Sequence, residues 1–510
     1  MSKKLLKSTA VVSSMTMLSR ISGLVRDIVM ANLLGSGVMA DAFFVAFRIP
    51  NFFRRLVGEG AFSQAFVPVF SELRADNDND AKQFVSATAG KLSIVLLLLS
   101  VAGVAGAPWL VKLFAPGFIE HPEKFALTVD ALRIMFPYLF FISLVAMSAG
   151  ILNTLQRFAV PAATPILLNL CLILALLFIL PMVDSATRAL AFGVLIAGVV
   201  QLAFQIPSLV RTGYLTWPSF SSNRGTQKVF RLMVPAILGV SAAQVNALVN
   251  TLLASFLVTG SVSWLYYSDR LMEFPVAVFG IALATVVLPS LTREHQQGSE
   301  SSFSNMLDWA LRWVVMIATP AAVALALLAV PLLATIFQHG AFSASDVYNS
   351  ALSLRAYSVG VIAFILIKVL APGFYARQDT KTPMRIAVIA IACNIVMSLL
   401  FIGYLQHAGL ALALALAAWF NAAMLAVRLW RCNIYRPQAG WLLFLGKIIV
   451  AVLVMTLVIR FLSLDDLFWL ESGLFSRIVR LLIVVTGGAL SYFLTLYLCG
   501  LRPHQLLLKK

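Results

Sequence analysis

The sequence predicts an all-α polytopic membrane protein of about fourteen transmembrane helices, arranged as two parallel six-helix lobes followed by two further helices. Three observations carry this expectation. The chain of 510 residues is 61% apolar and only 12% charged, with a mean hydropathy of +0.93, which no soluble domain approaches. Apolar runs near the roughly 20 residues that cross a hydrocarbon core recur from end to end. The pattern also repeats at an offset of about 222 residues, the signature of an internal duplication.

In the first lobe the spans fall at roughly 9–33, 38–68, 87–113, 127–153, 160–181 and 187–210. Span 1 shows no cleavable signal pattern, because Ser13, Ser14, Thr16 and Arg20 interrupt any apolar h-region, and it is expected to remain in the mature protein. Span 2 contains Pro50, which removes a backbone hydrogen bond, and Gly58 and Gly60, which allow bending. A broken helix lining a cavity is its expected form. The second lobe follows at roughly 230–257, 267–291, 308–337, 347–372, 384–404 and 408–430.

The duplication is carried by Leu132 and Arg133 recurring as Leu354 and Arg355. Gln156 and Pro161 recur as Gln378 and Pro383, and Pro108, Phe114 and Gly117 as Pro331, Phe337 and Gly340. An even number of spans per lobe gives both the same orientation, related by an axis along the membrane normal, with the substrate site expected at their seam. Spans 13 and 14, at roughly 440–463 and 477–501, lie outside the repeat. Simple packing and an apolar groove for a long hydrocarbon tail are both open readings of this pair. The expected domains are thus 1–228, 229–436 and 437–510.

Lys and Arg set the orientation. With the N-terminus cytoplasmic, the other side receives only Lys112, Lys124, Arg188, Arg270 and Arg477, and most of the remaining inter-span basic residues fall inside. Both termini are then cytoplasmic. The net charge of +17 is distributed between apolar runs, which points to anionic membrane lipids and away from nucleic acid. The polar stretches 71–86, 211–229 and 292–306 are too short to hold a catalytic domain. Cys171, Cys393, Cys432 and Cys499 show neither disulfide nor zinc spacing, so no metal is expected. The five histidines are scattered and receive no role.

The residues with chemistry are charges where lipid should be. Each arginine near the bilayer centre costs about 2.5–3.5 kcal/mol, so a water-filled chamber that accepts an anion is the physical expectation. On span 1, Ser13, Thr16, Arg20, Gly23 and Asp27 share one helical stripe. Arg20 lies near the membrane middle, and an ion pair with Asp27 or Asp41 is the competing reading. Arg26 can snorkel.

Span 2 supplies Asp41, Arg48, Asn51, Arg54, Arg55 and Glu59, and span 8 supplies Ser263, Asp269, Arg270 and Glu273. Arg54 and Arg55 also fit a positive-inside anchor. Lys368 in span 10 suits a carboxylate partner and a cavity equally, and Arg133 and Arg355 read as structural. Guanidinium suits an anion-binding role because it forks onto phosphate oxygens and keeps its charge.

Residues 10–20 (Ala-Val-Val-Ser-Ser-Met-Thr-Met-Leu-Ser-Arg), Asp41 to Pro50, Glu59 to Pro68, Ser261 to Pro275 and Lys368 to Tyr375 closely resemble the MurJ (MviN) lipid II flippases of the multidrug/oligosaccharidyl-lipid/polysaccharide exporter superfamily. The resemblance runs end to end, including the two extra spans. It implies a bacterial inner-membrane transporter, not an enzyme, that moves lipid II (the undecaprenyl-diphosphate-linked muropeptide) from the cytoplasmic to the periplasmic leaflet for peptidoglycan biosynthesis. Export of other polyprenyl-diphosphate-linked oligosaccharides or of drugs is the alternative. Arg20, Arg26, Arg54 and Arg270 match the family's essential cavity arginines. Asp27, Asp41, Asn51, Arg55, Glu59, Ser263, Asp269, Glu273 and Lys368 match further cavity or gate positions. No cofactor is implied beyond coupling to membrane potential or an ion, and cell-wall synthesis and division proteins are plausible neighbours.

Overall fold

Every regular element of the computed structural model is helical. The structure describes residues 3–501, with side chains throughout except at 3–10, 57–59, 238–243 and 281. It divides into two compact units, Met1–Ser263 and Trp264–Lys510. The first begins with α1 (Lys3–Leu34) and α2 (Val38–Phe53), continues through a π-helical turn (Arg54–Phe62) into α3 (Ser63–Asp76), and then α4 (Asp78–Ala105) and α5 (Ala107–Phe114). After these come α6 (Pro122–Met135), α7 (Tyr138–Thr154), α8 (Ala159–Leu174), α9 (Ala186–Thr212) and α10 (Arg224–Ser255).

Helix α11 (Ser261–Pro275) crosses the division and runs through a second π-helical turn (Val276–Gly280) into α12 (Ile281–Gln296). The second unit then holds α13 (Glu300–Leu327), α14 (Ala329–Phe337), α15 (Ala344–Tyr375), α16 (Lys381–Arg431), α17 (Trp441–Leu462), α18 (Asp466–Glu471) and α19 (Leu474–Leu498).

The duplication is visible in the element bounds. Helix α13 repeats α4 with both ends displaced by 222 residues, α14, α15 and α16 start 222 residues after α5, α6 and α8, and the two π-helical turns start at Arg54 and Val276. Gln156 and Gln378, also 222 apart, both take left-handed φ values, 59° and 62°. Compactness and descent divide the chain differently, because α10, the repeat counterpart of α1, belongs to the first compact unit.

Among the described residues, nine helical stretches are long and apolar enough to span a membrane, and the pair α6–α7, bent by 41°, makes a tenth. The fourteen expected spans are accommodated for two physical reasons. Helix α16 has 51 residues, roughly 75 Å of helix, more than twice a hydrocarbon core of about 30 Å. Gln406, at φ 48° and ψ −129°, divides it into two. Helices α1, α2–α3 and α10 fall outside the apolar set, and all three carry charges and hydroxyls. The break expected at Pro50 takes the form of a π-helical widening; the helical path itself is uninterrupted from Val38 to Asp76.

Two details of packing position the site. In the first unit, Phe62, Phe66, Phe70 and Phe84 form a stacked aromatic column, with ring centroids 5.0–5.7 Å apart, that fixes α3 and the end of the π-helical turn against α4. In the second unit, α17 and α19 pack closely because Gly487 and Gly488 leave room for Leu462 and Ile459. Buried Asp308 of α13 anchors this pair. It accepts hydrogen bonds from Tyr435 Oη (2.8 Å), Gln438 N (3.2 Å), Trp441 Nε1 (2.7 Å) and Arg312 Nε (2.8 Å). Burial and then the Asp308 carboxylate push the Tyr435 hydroxyl above its ordinary range.

Candidate functional site

Helix α1 enters the first unit with its middle turns exposed, and Arg20 is among those exposed residues. Neither carboxylate of the competing reading reaches it. Asp27, 1% exposed, takes two hydrogen bonds from the guanidinium of Arg26, at 3.0 Å from Nε and 2.6 Å from Nη2. Arg26 is itself 5% exposed and donates from Nη1 to Asn169 Oδ1 (3.0 Å), while Asn169 Nδ2 donates to Ser19 O and Ser22 Oγ of α1. Arg26, expected among the cavity arginines, is therefore a buried tie between α1 and α8. Arg20 has no ion-pair partner among the described residues.

Asp41 is buried and fully committed as well. Lys124 Nζ of α6 lies 2.7 Å from Oδ2 and 4.2 Å from the centroid of Phe118. Oδ2 also accepts from Gly260 N (2.8 Å), and Oδ1 from Ser263 N (3.0 Å) and Ser263 Oγ (2.6 Å). The carboxylate thus caps the start of α11, where helical N–H groups lack intrahelical partners and favour negative charge. Asp41 and Ser263, paired by the 222-residue offset, meet directly. A buried ion pair with three further hydrogen bonds is the arrangement in which desolvation of the charges is offset.

Further along the same helical run, Arg48 donates from Nη1 to the hydroxyl of Thr251, and Arg54 Nε donates to Asn51 Oδ1 (3.0 Å). Arg54 opens the π-helical turn, half-buried, and Arg55 beside it is exposed. Widened helical turns free backbone geometry and recur at functional sites. The side chain of Glu59 lies outside the described residues.

In the second unit, half-buried Arg270 approaches the more open Glu273 Oε2 at 3.4 Å and lies over the ring of Tyr266 at 5.6 Å. So open a pair contributes little attraction. Asp269 is half-buried one residue away. Lys368 lies against the second π-helical turn: a Cβ added at Gly280 would come within 2.7 Å of its Cδ. Arg133 and Arg355 are exposed.

The structure thus brings Asp27 to Arg26, Asn51 to Arg54, Ser263 to Asp41 and Glu273 to Arg270. Sequence reasoning missed Lys124, Asn169 and Thr251 as partners. Lys124 carried a signal, a lone cation amid apolar residues, but served only as a marker of topology. Asn169 and Thr251 carried none, since a single amide or hydroxyl in a span is ordinary.

The arrangement offers an exposed guanidinium, Arg20, and a half-buried one, Arg270, on helices of a largely apolar chain, and this suits recognition of an anionic headgroup. The lipid II flippase MurJ family matches residues 30–479 of the chain. The probable lipid II flippase MurJ of Vibrio cholerae is 43% identical, covering 99% of this chain and 98% of its own. The lipid II flippase MurJ of Burkholderia cenocepacia is 40% identical over 98% of both. Among solved structures, a lipid II flippase MurJ in an inward closed conformation is similar with a TM-score of 0.81 and 27% identity, over 95% of this chain and 97% of that one. An inward-facing multidrug resistance MATE transporter of the MOP superfamily shares the fold at a TM-score of 0.64 and 15% identity, over 83% and 98%. On these matches, which run nearly the whole length of the polytopic chain, the protein belongs to the lipid II flippase MurJ family.

Proposed function

We propose that this protein flips lipid II from the cytoplasmic to the periplasmic leaflet of the bacterial inner membrane by alternating access, supplying peptidoglycan synthesis. The observation that carries the reading is the state of Arg20. It is an exposed guanidinium midway along α1, and both acids that could neutralise it, Asp27 and Asp41, are buried with other cations. A guanidinium so placed binds a diphosphate in bidentate fashion.

Arg20 and Arg54 in the first unit and Arg270 in the second are the groups offered to the diphosphate. Arg26 acts through Asp27 and Asn169 as a positioning residue. Asp41 and Ser263 act as a gate latch, and Lys368 adjusts the second π-helical turn. The polyprenyl tail lies along α17 and α19, whose exposed Leu453, Leu457, Phe461, Leu490 and Phe493 offer an apolar surface. Both termini are cytoplasmic. Net movement of charge couples the cycle to the membrane potential at about 2.3 kcal/mol per charge per 100 mV.

The test is the affinity of the purified chain for lipid II, set against a lipid with an uncharged headgroup. Lipid II binds the wild type and loses at least tenfold in affinity with Arg20→Ala; equal affinity for both lipids removes the reading.

A further inference from the structure

Within the first unit a cavity of about 390 Å³ is lined by Arg54, Tyr138, Thr164, Gln201 and Gln205 together with apolar residues such as Val145 and Leu168. The volume falls within the roughly 300–1,000 Å³ range of ligand pockets. Its polar wall has one unfinished contact. Thr164 Oγ1 donates its single hydrogen to Val160 O (3.0 Å), so its lone pair receives the Gln205 amide, whose Nε2 donates across 3.1 Å. This fixes which end of the Gln205 amide is oxygen. Gln205 is 0% exposed, and its Oε1 has no hydrogen-bond partner.

Neighbouring Gln201 is satisfied at both ends, donating to Thr164 O (3.0 Å) and accepting from Tyr138 Oη (3.5 Å). A buried acceptor without a donor costs about 1–3 kcal/mol and needs an explanation. The missing group must supply a hydrogen. A phosphate oxygen cannot, whereas a hydroxyl or an amide N–H can. A single buried water explains the contact poorly, because the cavity has room for on the order of ten and its walls are largely apolar.

We propose that this cavity is a subsite for the hydroxyl and amide groups of the sugar–peptide headgroup, with Gln205 Oε1 as acceptor and Arg54 on the diphosphate side. The inference rests on the flippase reading above. It adds the part of the substrate that distinguishes the loaded lipid from its bare carrier. Mixed walls suit a sugar, whose C–H faces lie on apolar side chains while its hydroxyls find polar ones.

The experiment measures the affinities of the full chain in lipid nanodiscs for lipid II and for undecaprenyl diphosphate, which shares the tail and diphosphate but has no sugar or peptide. Gln205→Leu, and Gln205→Met as an unbranched second replacement, lower lipid II affinity about 3- to 10-fold, the worth of one hydrogen bond, and leave undecaprenyl diphosphate binding unchanged. Arg54→Ala weakens both ligands. Unchanged lipid II affinity in both Gln205 variants overturns the subsite and assigns water to the orphan acceptor. An equal loss for the two ligands also overturns it, by showing a general structural defect. A wild type that binds neither ligand defeats the flippase reading itself, an outcome separate from either of these.

Discussion

Two sets of ionised side chains at the candidate site differ in a way that a list of charges does not show. Arg26, Asp27, Asp41 and Lys124 are buried and matched cation to anion; Arg20 is exposed, and Arg270 is half-buried in an open pair with Glu273. Removing one member of the first group strands the other, and that is the expensive event: breaking a buried pair costs about 3–5 kcal/mol. Lys124→Met is therefore expected to destabilise the first unit by about 3 kcal/mol, at the low end because Gly260 and Ser263 still serve Asp41. Combining it with Asp41→Asn should recover a large part. Thermal unfolding in detergent measures both, and a Lys124→Met protein as stable as wild type would refute the pairing. The unusual charges were visible in the sequence, but the choice of partner was not. Whether Asp27 neutralises Arg26 or Arg20 depends on side-chain direction and on Asn169 of α8, 143 residues from Arg26.

Helical elements were read well where apolar period and turn chemistry agreed, and less well where the chain departs from regular helix. Pro50 with Gly58 and Gly60 signalled an irregularity, yet nothing in those residues distinguishes a break from a π-helical widening. Gln156 and Gln378, matched in the sequence only as repeat positions, both adopt left-handed φ, where a side chain is strained by about 1–2 kcal/mol. Each backbone N–H there donates to the preceding helical turn, to Asn153 O at 3.0 Å and Tyr375 O at 2.9 Å. Gln378→Gly is expected to stabilise the second unit by about 0.5–1 kcal/mol. Gln378→Pro, with φ fixed near −65° and its donor removed, should cost about 3 kcal/mol or more. Melting temperatures that move in the same direction for both substitutions would contradict the turn geometry. The Asp308 anchor of α17 escaped the sequence reading, because Tyr435, Gln438 and Trp441, some 130 residues away, must converge on it before one aspartate becomes a hub.

For the whole molecule, hydropathy carried most of the fold class, because a bilayer penalises any unpaired backbone group and so favours helices wherever apolar runs are about 20 residues long. Orientation can be tested independently of function. Cys432 is exposed after α16, on the side expected to be cytoplasmic. In a variant retaining only that cysteine, a membrane-impermeant maleimide should label it after permeabilisation and not in intact spheroplasts; labelling without permeabilisation would reverse the topology. Gln205 shows what hydropathy hides: its neighbours read as an ordinary apolar span, and only the folded unit reveals a buried acceptor with no donor.

The central claim is that exposed guanidinium groups held in an apolar helical bundle carry the diphosphate across. Replacing Arg20 or Arg270 with alanine in cells, and measuring how much lipid II reaches the outer leaflet at equal protein level, tests it most directly. The account predicts a loss of at least tenfold for each variant, with lipid II accumulating on the cytoplasmic side. Normal delivery by both variants would contradict it.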